Sequence, residues 1–238
     1  MKNLVDYPLP DWISIAFLMV IFIPSVLIAF LAKKGLNNNN NGNKAFFVVI
    51  SFFAIYFSYV SFASLNGLFD KVFLPPLVLL YCTFPLALFL FGVVAKLNIF
   101  KEFLENIALE DLVGVHIFRL IGVFFLFLAY QNALPHFFAI IAGLGDIITA
   151  FTSIFLVKII HQKQKNAKIL ALIWNTFGFL DIVFTAVTAI LLTKLSIDNG
   201  IQGVDTLAKF PFCFIPAFAP PIIIFIHVAI FKKIKKIV

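Results

Sequence analysis

Charge is scarce in this chain of 238 residues. Asp, Glu, Lys and Arg together make up 12%, where a soluble domain carries about 25%. Hydrophobic residues reach 63%, and mean hydropathy is +1.09. Low charge with this much apolar content excludes a soluble globular fold. It excludes disorder as well, because there is ample apolar surface to offset the entropy of ordering. Cysteine is nearly missing. Cys82 and Cys213 lie inside apolar stretches with no spacing motif, which excludes a disulfide framework and a cysteine zinc site. They read as small core residues. No C-x-x-C-H, H-E-x-x-H, G-x-S-x-G, P-loop or G-x-G-x-x-G after a strand occurs, so the sequence points to no nucleotide chemistry and no reaction class. Alternating stretches of about ten residues, the mark of a membrane β-barrel, are absent too.

What is present is an integral membrane protein, all-α, read as one membrane domain over residues 1–238. Seven segments are long and apolar enough to cross about 30 Å of hydrocarbon, which takes about 20 residues each. They fall near 12–32, 45–66, 72–95, 112–133, 136–160, 168–193 and 210–231. The first is not expected to be a cleaved signal peptide, because Asp6 and Asp11 precede it and no A-x-A site follows. Residues 37–41 form a polar, low-complexity connection that reads as a flexible linker. Residues 97–111 are amphipathic and read either as a short interfacial helix or as extra turns of the neighbouring spans. The turn at Leu134-Pro135 is tight enough to make spans four and five antiparallel neighbours.

The net charge of +7 comes from lysines in short runs beside apolar segments. That distribution indicates membrane orientation and contact with anionic lipid headgroups, not nucleic-acid binding. With the N-terminus outside, thirteen lysines fall on the inner side: 33, 34, 44, 96, 101, 158, 163, 165, 168, 232, 233, 235 and 236. Four fall outside: 2, 71, 194 and 209. An odd number of spans with the C-terminus in the cytoplasm follows. Heavy use of Phe, Ile, Lys and Asn fits an AT-rich coding bias and a bacterial inner membrane.

Three ionisable residues lie deep inside spans. Arg119, Asp146 and Asp181 would each cost about 2.5–3.5 kcal/mol at the centre of an isolated helix. They must therefore face the bundle. Arg119 is the one arginine among 18 basic residues. A guanidinium stays charged and offers a rigid fork suited to a carboxylate, so Arg119 is expected to hold one of the aspartates or a bound anion. A buried pair that merely fixes helix register is the competing reading. Asp146 and Asp181 share the pattern G-x-x-D-I, with Thr149 and Thr185 three or four residues on. Asn175, Gly178, Asp181, Thr185 and Thr188 form a polar stripe on span six. Two carboxylates near one arginine suit a proton, cation or small-solute site, which makes a binding or transport protein the leading function.

His116 and His227 lie at one depth, about four residues from the inner ends of their spans. A pair of that kind can ligate a haem or a metal, and a membrane redox protein is the alternative function; a purely structural role is a third. No cofactor is otherwise called for. Pro211, Pro216, Pro220 and Pro221 strip hydrogen bonds from Phe212, Pro216 and Ala217 in span seven, so this span is expected to be kinked or broken. It carries no mid-membrane lysine for a Schiff base, which rules out a retinal protein.

Several strings stand together in the C-terminal half: Arg119-Leu-Ile-Gly122, Leu134-Pro-His through Gly143-Leu-Gly-Asp146, Trp174-Asn175-Thr-Phe-Gly178-Phe-Leu-Asp181, and Phe210-Pro211 through Pro216 and Pro220 to His227. In these, residues 115–231 resemble a family of small bacterial polytopic membrane proteins of uncharacterised activity. The resemblance implies fold and location but no reaction. It singles out Arg119, Asp146, Trp174, Asn175, Asp181 and His227.

The lysine count yields a direct test. Reporter fusions at residue 163 and at the C-terminus should both report the cytoplasm, and an external signal at 163 would reverse the orientation.

Overall fold

A long apolar segment that leaves water must satisfy every backbone N–H and C=O within itself, which selects helix. The computed structural model describes residues 4–37 and 41–236. No strand occurs among them. Seven helices are long and apolar enough to cross a membrane: α1 (Asp11–Gly35), α2 (Gly42–Leu65), α3 (Leu79–Lys96), α5 (Leu109–Tyr130), α6 (His136–His161), α7 (Ala167–Asn199) and α8 (Phe214–Lys236). Between α3 and α5 stands α4 (Asn98–Asn106), a short amphipathic helix set off by extended residues Leu97 and Ile107. Most of the 97–111 segment is thus a helix of its own, and Leu109, Glu110 and Asp111 form the first turn of α5. The linker expected at 37–41 falls mainly on 38–40, outside the described residues.

Two expected starts move, both at prolines, and α7 runs on past residue 193 to Asn199. The third helix begins later than residue 72, because Pro75 and Pro76 cannot donate to a preceding turn. Instead the Pro76 carbonyl accepts from Leu79 (2.9 Å) and Leu80 (3.2 Å). The last helix begins at Phe214, not 210, after a turn in which Pro211 accepts from Phe214 (3.2 Å). At its other end it runs on to Lys236. There Lys233 Nζ donates to the carbonyls of Leu104 (3.0 Å) and Glu105 (2.9 Å). These carbonyls close the C-terminal turn of α4, where a cation is favoured by the helix dipole. The amphipathic helix is thereby tied to α8.

Consecutive helices α5 to α8 pack against one another in sequence; α1 lies on α5 and α2, and α3 lies on α8. The tight turn after α5 makes α5 and α6 antiparallel neighbours: Ala133 N donates to Leu128 O (2.8 Å), and Thr206 Oγ1 in a later loop holds Ala133 O (2.6 Å). The most enclosed helices are α5 and α8. A phenylalanine cluster joins α2 to α8, with ring centroids of Phe57 and Phe214 at 5.1 Å and of Phe53 and Phe218 at 5.2 Å. The outer faces stay apolar: Leu88 is 72% and Ile55 71% exposed. A girdle of this kind is an aggregation surface in water and the proper exterior in hydrocarbon.

Of the two outcomes expected for the last helix, kink or break, no break occurs. α8 passes unbroken through Pro220 and Pro221. Each proline removes the donor to the carbonyl four residues back, freeing Pro216 O and Ala217 O. Neighbouring hydroxyls supply the missing donors. Thr83 Oγ1 of α3 reaches Pro216 O at 2.6 Å, and Tyr56 OH of α2 reaches Ala217 O at 2.9 Å. Thr83 is placed for this by a single widened π-turn over Leu79–Thr83. Tyr56→Phe and Thr83→Val should therefore each lower stability by about 1–3 kcal/mol, the cost of leaving a buried acceptor unmet. Thermal unfolding in detergent measures it, and a loss within error at both positions would mean that the prolines need no outside donors.

Candidate functional site

Span α5 changes pitch at its centre. Val115–Gly122 is wound as 3₁₀-helix for eight residues, far longer than the usual three or four. Three residues per turn places residues i, i+3 and i+6 in one row. His116, Arg119 and Gly122 form that row, and all three are buried. In an ordinary α-helix they would fan apart by about 20° per residue relative to this winding.

Arg119 stands ten residues into α5 (Leu109–Tyr130), near the middle of the helix. Its side chain is fully enclosed. Nε donates to Asp146 Oδ1 of α6 at 2.6 Å, and Nη2 donates to Asp181 Oδ2 of α7 at 2.5 Å. Nη1 donates to the Gly178 carbonyl at 3.2 Å and faces His227 Nε2 at 3.3 Å. The sequence suggested one aspartate as partner; the guanidinium takes both, one on each of two helices. The matched G-x-x-D-I patterns therefore deliver their carboxylates to one point.

Close approach needs the glycines. A Cβ at Gly145 would overlap the Asp181 carboxylate, and a Cβ at Gly122 would overlap Asp146. A Cβ at Gly178 would stand 2.7 Å from His227 Cε1.

A second layer orients the histidine. Asn175 Nδ2 donates to the His227 backbone carbonyl (3.1 Å), and His227 Nδ1 lies 2.8 Å from Asn175 Oδ1. The amide oxygen can only accept, so Nδ1 carries the proton and Nε2 is left as an acceptor towards Arg119. His227 is thus held as the neutral ring in a chain from Asn175 to Arg119. Trp174 closes this layer, donating from Nε1 to Thr152 Oγ1 (3.0 Å) and Thr149 O (3.3 Å).

His116 and His227 do meet, ring against ring, with centroids 4.3 Å apart and planes tilted by 34°. Trp174 packs edge-on to His116 at 5.2 Å. Yet both His227 nitrogens are engaged, and among the described residues no three His, Cys, Asp or Glu side chains are grouped to hold a metal. The arrangement is one of packing and hydrogen bonding, with no open ligand position on His227. Both nitrogens of His116 are buried without a partner, as is Thr149 Oγ1. Thr185 is half-buried and makes no hydrogen bond within the cluster. Sequence reasoning missed three contributors: the Gly178 carbonyl, the hydroxyl of Thr152 and the 3₁₀ winding. A three-residue spacing of His116, Arg119 and Gly122 was the available signal for the last.

One guanidinium between two ionised carboxylates leaves a net charge of −1. Asp146 Oδ2 and Asp181 Oδ1 make no hydrogen bond among the described residues and remain available. A cavity of about 30 Å³ adjoins Arg119 and Asp146, room for about one water or a bare small cation.

Fold and site together define a class: an all-helical protein with the build of a multi-pass membrane protein, organised around a buried Asp–Arg–Asp triad. Within that class, the chain belongs to the family described as a domain of unknown function (DUF8737), whose model matches residues 74–234. The match takes in α3 and α4, which the resemblance over 115–231 left out. No curated protein and no solved structure matches the chain.

Truncating the arginine tests the triad as a unit. Arg119→Leu should cost about 3–5 kcal/mol, because two buried carboxylates lose their partner. Adding Asp146→Asn or Asp181→Asn should each recover part of this, and both together most of it, in thermal unfolding analysed as a mutant cycle. Strict additivity would show that the three groups do not act together.

Proposed function

We propose that the protein is a single-domain, multi-pass protein of the bacterial inner membrane, with its N-terminus outside and its C-terminus in the cytoplasm, that binds and transfers a proton or a small monovalent cation at Asp146 and Asp181. The observation that carries this reading is the charge of the triad. One arginine cannot neutralise two carboxylates, and an uncompensated charge at midplane is costly. A proton or a small cation removes it.

Size supports the choice of ligand. The cavity at the triad is about 30 Å³, too small for an organic solute in this conformation. Arg119 fixes the two carboxylates against each other, and the orphaned His116 ring and Thr149 hydroxyl lie one layer away as a polar continuation. The orientation rests on the thirteen-to-four distribution of lysines.

Reconstitution tests the reading. Proteoliposomes holding the protein and a trapped pH dye should respond to an imposed potential at least tenfold faster than empty vesicles. Asp181→Asn and Asp146→Asn should abolish the response while the helical circular dichroism is retained. Replacing potassium by sodium in the buffer separates a cation from a proton. Equal leak in protein-containing and empty vesicles in every buffer would leave the triad as a structural lock only.

A further inference from the structure

Away from the triad, a cavity of about 570 Å³ opens between α1, α2, α3, α4 and α8. It is some twenty times larger than the void at Arg119. Its walls are apolar except at one end, where Asn41 and Lys44 stand at the rim. An apolar space of this size is not filled by water, which needs two to four polar partners. Nor does it match the close packing of a protein interior. In a bilayer its natural content is hydrocarbon.

Three features specify which hydrocarbon. First, depth. Lys44 and Phe53 are nine residues apart on α2, or about 13 Å along the helix, close to the thickness of one leaflet, about 15 Å. Second, the floor. α4 turns Ile99, Phe100 and Phe103 into the cavity, as an interfacial helix lying at headgroup level would. Third, charge. Lys34 is paired with Asp111 and Lys236 with Glu105, whereas Lys44 is exposed and has no acidic partner among the described residues. An unpaired ammonium at the mouth of a leaflet-deep apolar slot suits an anion with an alkyl tail.

We propose that this cavity is a binding site for an anionic phospholipid, with one acyl chain in the slot between α2 and α3 and its phosphate at Lys44. The site is separate from the ion-binding triad. It shares with the preceding reading only the membrane location, so either can fail without the other.

Full-length protein in detergent, titrated with phosphatidylglycerol or phosphatidylcholine and examined by native mass spectrometry, tests the site. The expected result is one tightly held phosphatidylglycerol, bound at least tenfold more tightly than phosphatidylcholine. Lys44→Glu should erase that preference. Val49→Trp, which fills the slot, should remove tight binding of both lipids. A measurement on the unmodified protein guards against misfolded variants: phosphatidylglycerol with a photoreactive acyl chain should label the slot at Val49 and Phe89 in preference to the outer positions Ile55 and Leu88. Equal binding of the two lipids, with labelling spread over the outer faces, would show ordinary boundary lipid and overturn the proposal. A two-chain species that excludes lipid from the slot would overturn it as well, by assigning this face to a second copy.

Discussion

A buried guanidinium must find its counter-charge without water, and the architecture of α5, α6 and α7 follows from that need. Arg119 cannot be neutralised by deprotonation, and leaving it in hydrocarbon is costly on any scale. Both aspartates must therefore come to it. Gly122 and Gly145 give the carboxylates room where any side chain would collide. The 3₁₀ winding of α5 turns Arg119 into line with His116 and Gly122. The Gly178 carbonyl and His227 Nε2 face Nη1, and Asn175 fixes which nitrogen of His227 is available. Each of these residues makes sense only once the arginine is in place.

The proline-rich helix obeys the same rule at lower cost. Pro220 and Pro221 free two carbonyls in a place where water cannot reach them. Hydroxyls from α2 and α3 meet both. The prolines thus convert an internal helix bond into a contact between helices, and the first three spans are joined to the C-terminal bundle partly by that exchange. The Phe53–Phe218 and Phe57–Phe214 contacts add shape to a joint whose polar ends are set by Tyr56 and Thr83.

The helices were legible in the sequence because apolar length alone decides them. Their ends were less so. Length counting includes the apolar residues before Pro75 and around Pro211, but a proline biases the residue before it away from helical backbone, and both starts move inward. The buried charges were legible for the reason that makes them rare: nothing polar enters hydrocarbon without a partner. Their grouping was only partly legible. Spacing along one helix shows which residues share a face, but not which of two aspartates an arginine will take, since that depends on the rotation of one helix against another. The histidines show the limit most clearly. Depth put His116 and His227 on one level, where they meet, but depth says nothing of Asn175, which holds the Nδ1 proton, or of Arg119, which faces Nε2. The 3₁₀ stretch left only the three-residue spacing of His116, Arg119 and Gly122 as a trace, because the nearly uniform apolar run around them has no periodicity to read.

The 3₁₀ stretch also makes geometry at the triad a function of helix pitch. Eight residues wound at about 2.0 Å each span about 16 Å, against about 12 Å for the same residues as α-helix. Rewinding Val115–Gly122 would draw the two ends of α5 together by about 4 Å and rotate Arg119 by about 80° relative to Val115. The guanidinium would then leave both carboxylates at once, since they sit on helices that do not turn with it. The coil of one helix is in this sense a length reserve, and the charge balance at the triad is coupled to the end-to-end length of α5.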